Sequence, residues 1–235
     1  MLLFAINPVL IAAAVIPAVV LLVYVYKKDK LESEPSPMLL SLVLYGVLAT
    51  FLAMMTERIF GGLIDRYYRS GTAMYNFLMY FLVVGLSEEG FKYLLLKRRT
   101  WRSPAFNCQF DGVVYAVFVS LGFALWENIG YVAMYGFSTA MVRAVTAVPG
   151  HACFGVFMGV WYGAARRYEY AGLYRRSRTC RWMALLLPAL LHGAYDTIAS
   201  SEGSDYGWVF VVFVLLMFAA AYIAVKKAAA HDRAF

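Results

Sequence analysis

Apolar residues run through this chain in long unbroken stretches, separated by short polar or basic connections. Seven stretches, near residues 2–26, 38–55, 74–96, 112–135, 141–165, 182–199 and 206–225, approach the length of about 20 residues that a helix needs to cross hydrocarbon. Strands of a membrane barrel would alternate apolar and polar positions over about ten residues, and no stretch here does so. The pattern predicts an all-α polytopic membrane helical bundle of about seven transmembrane helices. The first stretch has no positive leading segment and exceeds the roughly 7 to 15 residues of a signal-peptide core, so it is expected to be the first span. The longest connection, 56–73, is too short for a further domain, and residues 1–235 are expected to form a single integral-membrane domain. Pro149-Gly150 and Pro188 fall inside spans, and a break in the fifth helix is expected just before His151. No internal repeat of the kind that builds inverted-repeat carriers is visible.

Basic residues set the expected orientation. Lys27, Lys28 and Lys30, then Lys97, Arg98, Arg99 and Arg102, then the arginines between 166 and 181, and last Lys226, Lys227 and Arg233 occupy alternate connections. The intervening connections hold only Arg58, Arg66, Arg69 and Arg143. Cytoplasmic loops retain Lys and Arg, so the N-terminus is expected outside and the C-terminus in the cytoplasm. Composition fits this picture: 63% of the residues are hydrophobic, 15% are charged and the mean hydropathy is +0.66. The net charge of +7 then marks membrane topology, and no nucleic-acid partner is expected. Three scattered cysteines exclude a disulfide framework or a cysteine zinc motif.

Against this apolar background a few ionisable residues stand out. Glu88, Glu89 and Lys92 lie within the third stretch, Glu127 and Asn128 in the fourth, His151 in the fifth, and His192 with Asp196 in the sixth. A charge at mid-membrane costs roughly 2.5 to 3.5 kcal/mol on insertion scales, so such groups are retained for a task or for each other. Spacing of four puts Glu88 with Lys92, and His192 with Asp196, on common helix faces. Counting helical rise from the span ends brings all of them into the middle-to-outer half of the bilayer. A lone intramembrane pair is often only a lock between helices. Six acidic or imidazole groups and a lysine on four spans point instead to a shared polar cavity. Glu57 and Asp111 sit at span ends; Glu57 and Cys153 read as structural, and Asp111 as a secondary candidate at a helix start.

The residue types narrow the chemistry. No glycine-flanked serine of the hydrolase kind occurs, and Ser87 is the only serine beside the cluster. Only Asp196 is a deep aspartate, which argues against a paired-aspartate protease. The His-Glu-x-x-His string is absent. What remains is water activated by a glutamate, with histidine polarising it or stabilising an oxyanion. No cofactor is called for on this reading. The first alternative is a hydrolase holding a metal on His151, His192, Glu127 and a member of the glutamate pair. The second is a non-catalytic membrane scaffold or receptor, and a proton-coupled carrier lacks a repeat to build its path.

Taken in order, Glu88-Glu89-x-x-Lys92, Asp111-Gly112, Gly122-Phe123-Ala124-x-x-Glu127-Asn128, His151 and His192-x-x-x-Asp196 resemble the motifs of the PrsW family of intramembrane proteases. That family is related to the CAAX prenyl endopeptidases and, more distantly, to the multispan scaffold subunit of gamma-secretase. The likeness spans 74–199, and the Glu-Pro character of the first loop extends it. It implies an endopeptidase of a prokaryotic plasma membrane that cuts a single-span membrane protein such as an anti-sigma factor. By analogy with the CAAX enzymes, Glu88 or Glu89 would activate water, and His192 with Asp196 would hold the oxyanion side. This chain departs from those enzymes at Glu127, where they carry histidine, and at Asp196, where they carry asparagine.

Overall fold

The computed structural model describes residues 8–29, 33–201 and 203–235. Residues 2–7 of the first predicted span, and Lys30 and Glu32 of the first basic loop, lie outside the described residues. The chain runs through α1 (Pro8–Tyr26), α2 (Ser36–Tyr67), a short α3 (Ala73–Asn76), a π-helical segment (Phe77–Gly85), α4 (Leu86–Thr100), α5 (Asp111–Tyr135), α6 (Phe137–Val145), α7 (Ala147–Tyr170), α8 (Tyr174–Ala199) and α9 (Ser204–Ala230). The result is an all-α membrane bundle. Five helical stretches, Pro8–Tyr26, Ser36–Tyr67, Asp111–Tyr135, Phe137–Tyr170 and Asp205–Ala230, are long and apolar enough to cross a membrane. The other two predicted spans form the helix through α3, the π segment and α4, and helix α8. Their mean hydropathy is lowered by the very groups of interest, Glu88, Glu89 and Lys92 in one and His192 and Asp196 in the other.

Helix α5 is the axis of the bundle. Its run of Val, Ala, Gly and Ser residues is buried on every side from Asp111 to Ala124, and α1, α2, α4, α6 and α7 pack around it. Small residues let backbones approach where no hydrophobic drive separates protein from lipid. A Cβ on Gly46 of α2 would lie 2.1 Å from the Val119 carbonyl of α5. Helices α1 and α9 lie at the periphery, with α9 against α7 and α8. At the basic end of the bundle, residues 232–235 pair with the loop before α5 through Phe235 N–H to Asn107 O (2.9 Å) and Gln109 N–H to Arg233 O (3.2 Å).

The break in the fifth span falls at Thr146, between α6 and α7, and not at Pro149-Gly150. The reason is local: Pro149 lies in the first turn of α7, where its missing N–H would have had no helical partner. The Gly150 N–H reaches back to Thr146 O at 2.8 Å and the helix continues through His151. Pro188 is accommodated inside an unbroken α8. Helix α2 runs on to Tyr67, well past the predicted end at residue 55, which carries Glu57 into the bundle's outer half.

Two glycines of α2 give a matched test of the packing. Gly46→Ala should lower unfolding stability by roughly 1 to 3 kcal/mol through overpacking against α5. Gly62 has nothing within 4 Å of a Cβ, so Gly62→Ala should be neutral or gain up to about 1 kcal/mol from helix propensity. Thermal melts of the two purified variants check both.

Candidate functional site

The site is assembled where α4 meets α8. A Cβ on Gly85 would lie 2.7 Å from the Ala189 carbonyl, and one on Gly193 would lie 2.6 Å from the Phe81 ring. Both positions therefore need glycine if these helices are to touch. The π turn feeds this contact: the Leu86 N–H bonds Phe81 O, five residues back, which turns the following helix relative to an α register. The first turn of α4 thereby presents Glu88 and Glu89 to His192 on α8.

Lys92 is the hub. Its ammonium is sealed from solvent and lies 2.7 Å from Glu89 Oε1, 3.4 Å from Glu88 Oε2 and 3.0 Å from His151 Nδ1. It also sits 3.8 Å from the centroid of the Phe123 ring, a cation–π contact that adds to its neutralisation. An ammonium only donates, so His151 Nδ1 accepts, and the Nε2–H of that ring donates to Glu127 Oε2 at 3.0 Å. Glu127 is held a second time by Arg143 Nη2 at 2.5 Å. On the other side His192 Nδ1 donates to Glu89 Oε1 at 3.0 Å, and His192 Nε2 faces Asp196 Oδ2 at 3.4 Å. Phe154 stacks on His192 with centroids 4.7 Å apart. Six of the residues predicted as catalytic or supporting, together with Lys92, thus form one network across α4, α5, α7 and α8.

The two glutamates are not equivalent. A cavity of about 240 Å³ opens between the helices and is lined by Glu57, Glu88, Glu127, Arg143, His151, His192, Tyr195 and Asp196 among others. Glu88 faces it. Glu89 lies behind, fully buried beside Lys92, with its Oε2 lacking any hydrogen-bond partner. Side-chain exposure rises outward, from 0% at Lys92 and Glu89 to 19% at Glu127 and 23% at Asp196. Ser87 points the other way and donates to the Val83 carbonyl.

The family model described as PrsW family intramembrane metalloprotease matches residues 34–223. The chain belongs to the PrsW family. Among curated proteins it is 35% identical to Protease PrsW of Geobacillus kaustophilus over 224 residues, covering 95% of this chain and 94% of that protein. It is 32% identical to Protease PrsW of Bacillus subtilis over 211 residues, 89% of each chain. No solved structure gives a significant match. The network joins Glu88, Glu89, Lys92, Glu127, His151, His192 and Asp196 of this PrsW-family chain, whose relatives are named proteases and whose family is described as intramembrane.

The family description implies a metal, and the residues fit one. Glu88, Glu89, His151 and His192 each offer a ligand atom, all within 4.8 Å of one another. Two imidazoles and two carboxylates are an ordinary zinc donor set, and the unpartnered Oε2 of Glu89 leaves a buried acceptor to satisfy. Glu127, included in the ligand set read from the sequence, is outside this group because His151 Nε2 and Arg143 already hold it. The ammonium of Lys92 contacts three of these four residues, Glu88, Glu89 and His151.

Two predicted supporting residues lie elsewhere. Asp111 sits some sixteen residues before Glu127 on α5, about 24 Å along the axis, where it accepts from the Asn107 and Cys108 amides at 3.0 and 2.7 Å. Asn128 does not line the cavity; it donates to Ala14 O (2.9 Å) and accepts from Arg143 Nε (3.0 Å), tying α1 to the site's rim. Sequence reasoning missed Glu57, Arg143 and Phe154. Arg143 carried a usable signal, as the one basic residue within its outer connection. A lysine ammonium lacks the planar fork that reaches Asn128 and Glu127 from two separate nitrogens, so Arg143→Gln and Arg143→Lys should each lower thermal stability, Gln by roughly 1 to 3 kcal/mol and Lys by less.

Proposed function

We propose that this chain is an intramembrane endopeptidase of the prokaryotic plasma membrane. It hydrolyses a peptide bond in a single-span membrane-protein substrate of the anti-sigma-factor type. The observation that carries the reading is the division of labour in the glutamate pair: Glu88 faces the cavity that also receives His192 and Asp196, while Glu89 is sealed against Lys92. In this mechanism Glu88 takes a proton from a cavity water as the water oxygen attacks the scissile carbonyl carbon. The developing oxyanion receives a hydrogen bond from the Nε2–H of His192 in its imidazolium form, whose Nδ1–H is held by Glu89. An ionised Asp196 cannot donate to an oxyanion; it lies 3.4 Å from the same Nε2, stabilises the imidazolium charge, and gives up that N–H to the oxyanion as it forms. Glu88 then passes its proton to the leaving amine as the carbon–nitrogen bond breaks. His151 and Glu127 position the base: His151 accepts from Lys92 on one ring nitrogen and donates to Glu127 on the other.

A second reading is favoured by the four clustered donor atoms and the family's description. Glu88, Glu89, His151 and His192 would hold a divalent ion, which when bound supplies Lewis acidity and a more acidic water. On either reading Asp196 pairs with His192, Glu127 holds His151 and Arg143 holds Glu127.

Purified protein incubated with a panel of single-span substrates tests the proposal. Glu88→Gln should abolish cleavage with little change in melting temperature. Glu89→Gln should also lose cleavage but melt several degrees lower, because it leaves the Lys92 ammonium poorly paired in a buried place. Equal cleavage by Glu88→Gln and the parent would overturn the assignment. Elemental analysis of the same preparations, with cleavage measured after exhaustive chelation, separates the two readings: retained activity without metal leaves the glutamate alone, and loss restored by added zinc establishes the metal.

A further inference from the structure

Two cavities outside the polar site meet at one residue, Leu94 of α4. The first, about 610 Å³, opens at the basic end of the bundle and is lined by Lys97, Arg98, Arg102, Arg166 and Arg181, with Glu169 as the one acid. Glu169 is already engaged, accepting from Trp101 Nε1 at 3.0 Å and pairing with Arg166 at 3.5 Å. Lys97, Arg98 and Arg102 have no ion-pair partner among the described residues. The Nε–H of Arg166 is buried with no hydrogen-bond partner, while the guanidinium groups of Arg166 and Arg181 each stand 5.5 Å from the Trp101 ring centroid. A cluster of five cations with one engaged acid, and with a buried Arg166 donor unmet, calls for an anion with several acceptor oxygens.

The second cavity, about 560 Å³, is an apolar groove between α2 and the π–α4 helix, walled by Phe60, Leu82, Leu86 and Phe91 and ending at Leu94. Its path from Leu94 to Leu82 is twelve residues, about 18 Å, on the scale of half a hydrocarbon core of about 30 Å. We propose that the two together are a binding site for an anionic phospholipid, with the headgroup phosphate among the arginines and an acyl chain along the groove. The charge of the cavity selects the headgroup, since a zwitterionic lipid would bring its own cation to an already cationic place. Basic pockets between helices bind anionic headgroups in this way. The site lies on α4, whose other end carries Glu88 and Glu89, and is distinct from the hydrolytic cavity.

The test uses the full chain, purified in neutral detergent and examined by native mass spectrometry. Phosphatidylglycerol, phosphatidylcholine with the same acyl chains, and inorganic phosphate are titrated in parallel. Phosphatidylglycerol should be retained about tenfold or more in preference to phosphatidylcholine. That preference should disappear in the Arg98→Gln/Arg102→Gln variant, whose replaced side chains make no hydrogen bond or ion pair among the described residues, and survive in an Arg175→Gln/Arg178→Gln control on the exposed start of α8. Equal retention of the two lipids, or unchanged preference in the first variant, overturns the proposal. Displacement of phosphatidylglycerol by millimolar inorganic phosphate would show a soluble-phosphate site and overturns the lipid assignment.

Discussion

The structure depends on one buried ammonium. Lys92 is fully buried inside the bundle, and an unpaired charge there would cost several kcal/mol. It is instead bound by Glu89 at 2.7 Å, supported by Glu88 and His151, and capped by the Phe123 ring. Those partners come from α4, α5 and α7, and Glu89 in turn binds His192 of α8. The need to neutralise one side chain therefore fixes the relative rotation of four helices. In lipid, where apolar packing alone selects weakly among rotations, such a polar core is a strong source of specificity.

The same arrangement produces the gradient on which reactivity rests. At the closed end Lys92 is held by Glu89, Glu88 and His151, and Glu89 by Lys92 and His192. Toward the mouth, Glu88 and His192 line the cavity and Asp196, the more exposed of the three, pairs only with His192. A group that must exchange protons with water and substrate belongs at the open end, and a group that must hold geometry belongs at the closed one. Glycines 85 and 193 make the gradient possible by allowing α4 and α8 to approach until an imidazole reaches a carboxylate at 3.0 Å.

Much of this was legible in the sequence because membrane chains write their exceptions plainly. Glu88, Glu89, Lys92, Glu127, His151, His192 and Asp196 were conspicuous as polar residues in apolar stretches, and they do meet. What the sequence hid was rotational and longitudinal detail. Adjacent glutamates look alike in one dimension, but a helix turns them about 100° apart, and the π turn decides which faces the cavity. Glu57 was read as structural because α2 overruns its hydrophobic core by twelve residues. Asn128 stood inside a motif and so suggested the site, yet its position on α5 turns it toward α1 and Arg143. The fifth helix breaks at Thr146 because proline in a first turn is harmless, which no count of prolines reveals.

A double-mutant cycle on Lys92→Met and Glu89→Gln, read as unfolding free energy in a denaturing-detergent titration, tests the central claim most directly. Each single change leaves a buried group without its partner and should cost about 3 to 5 kcal/mol. The double variant should cost far less than their sum, with a coupling of about 2 kcal/mol or more. Single costs that add to within about 0.5 kcal/mol would contradict the account, because the two side chains would then not share the buried contact on which everything else is built.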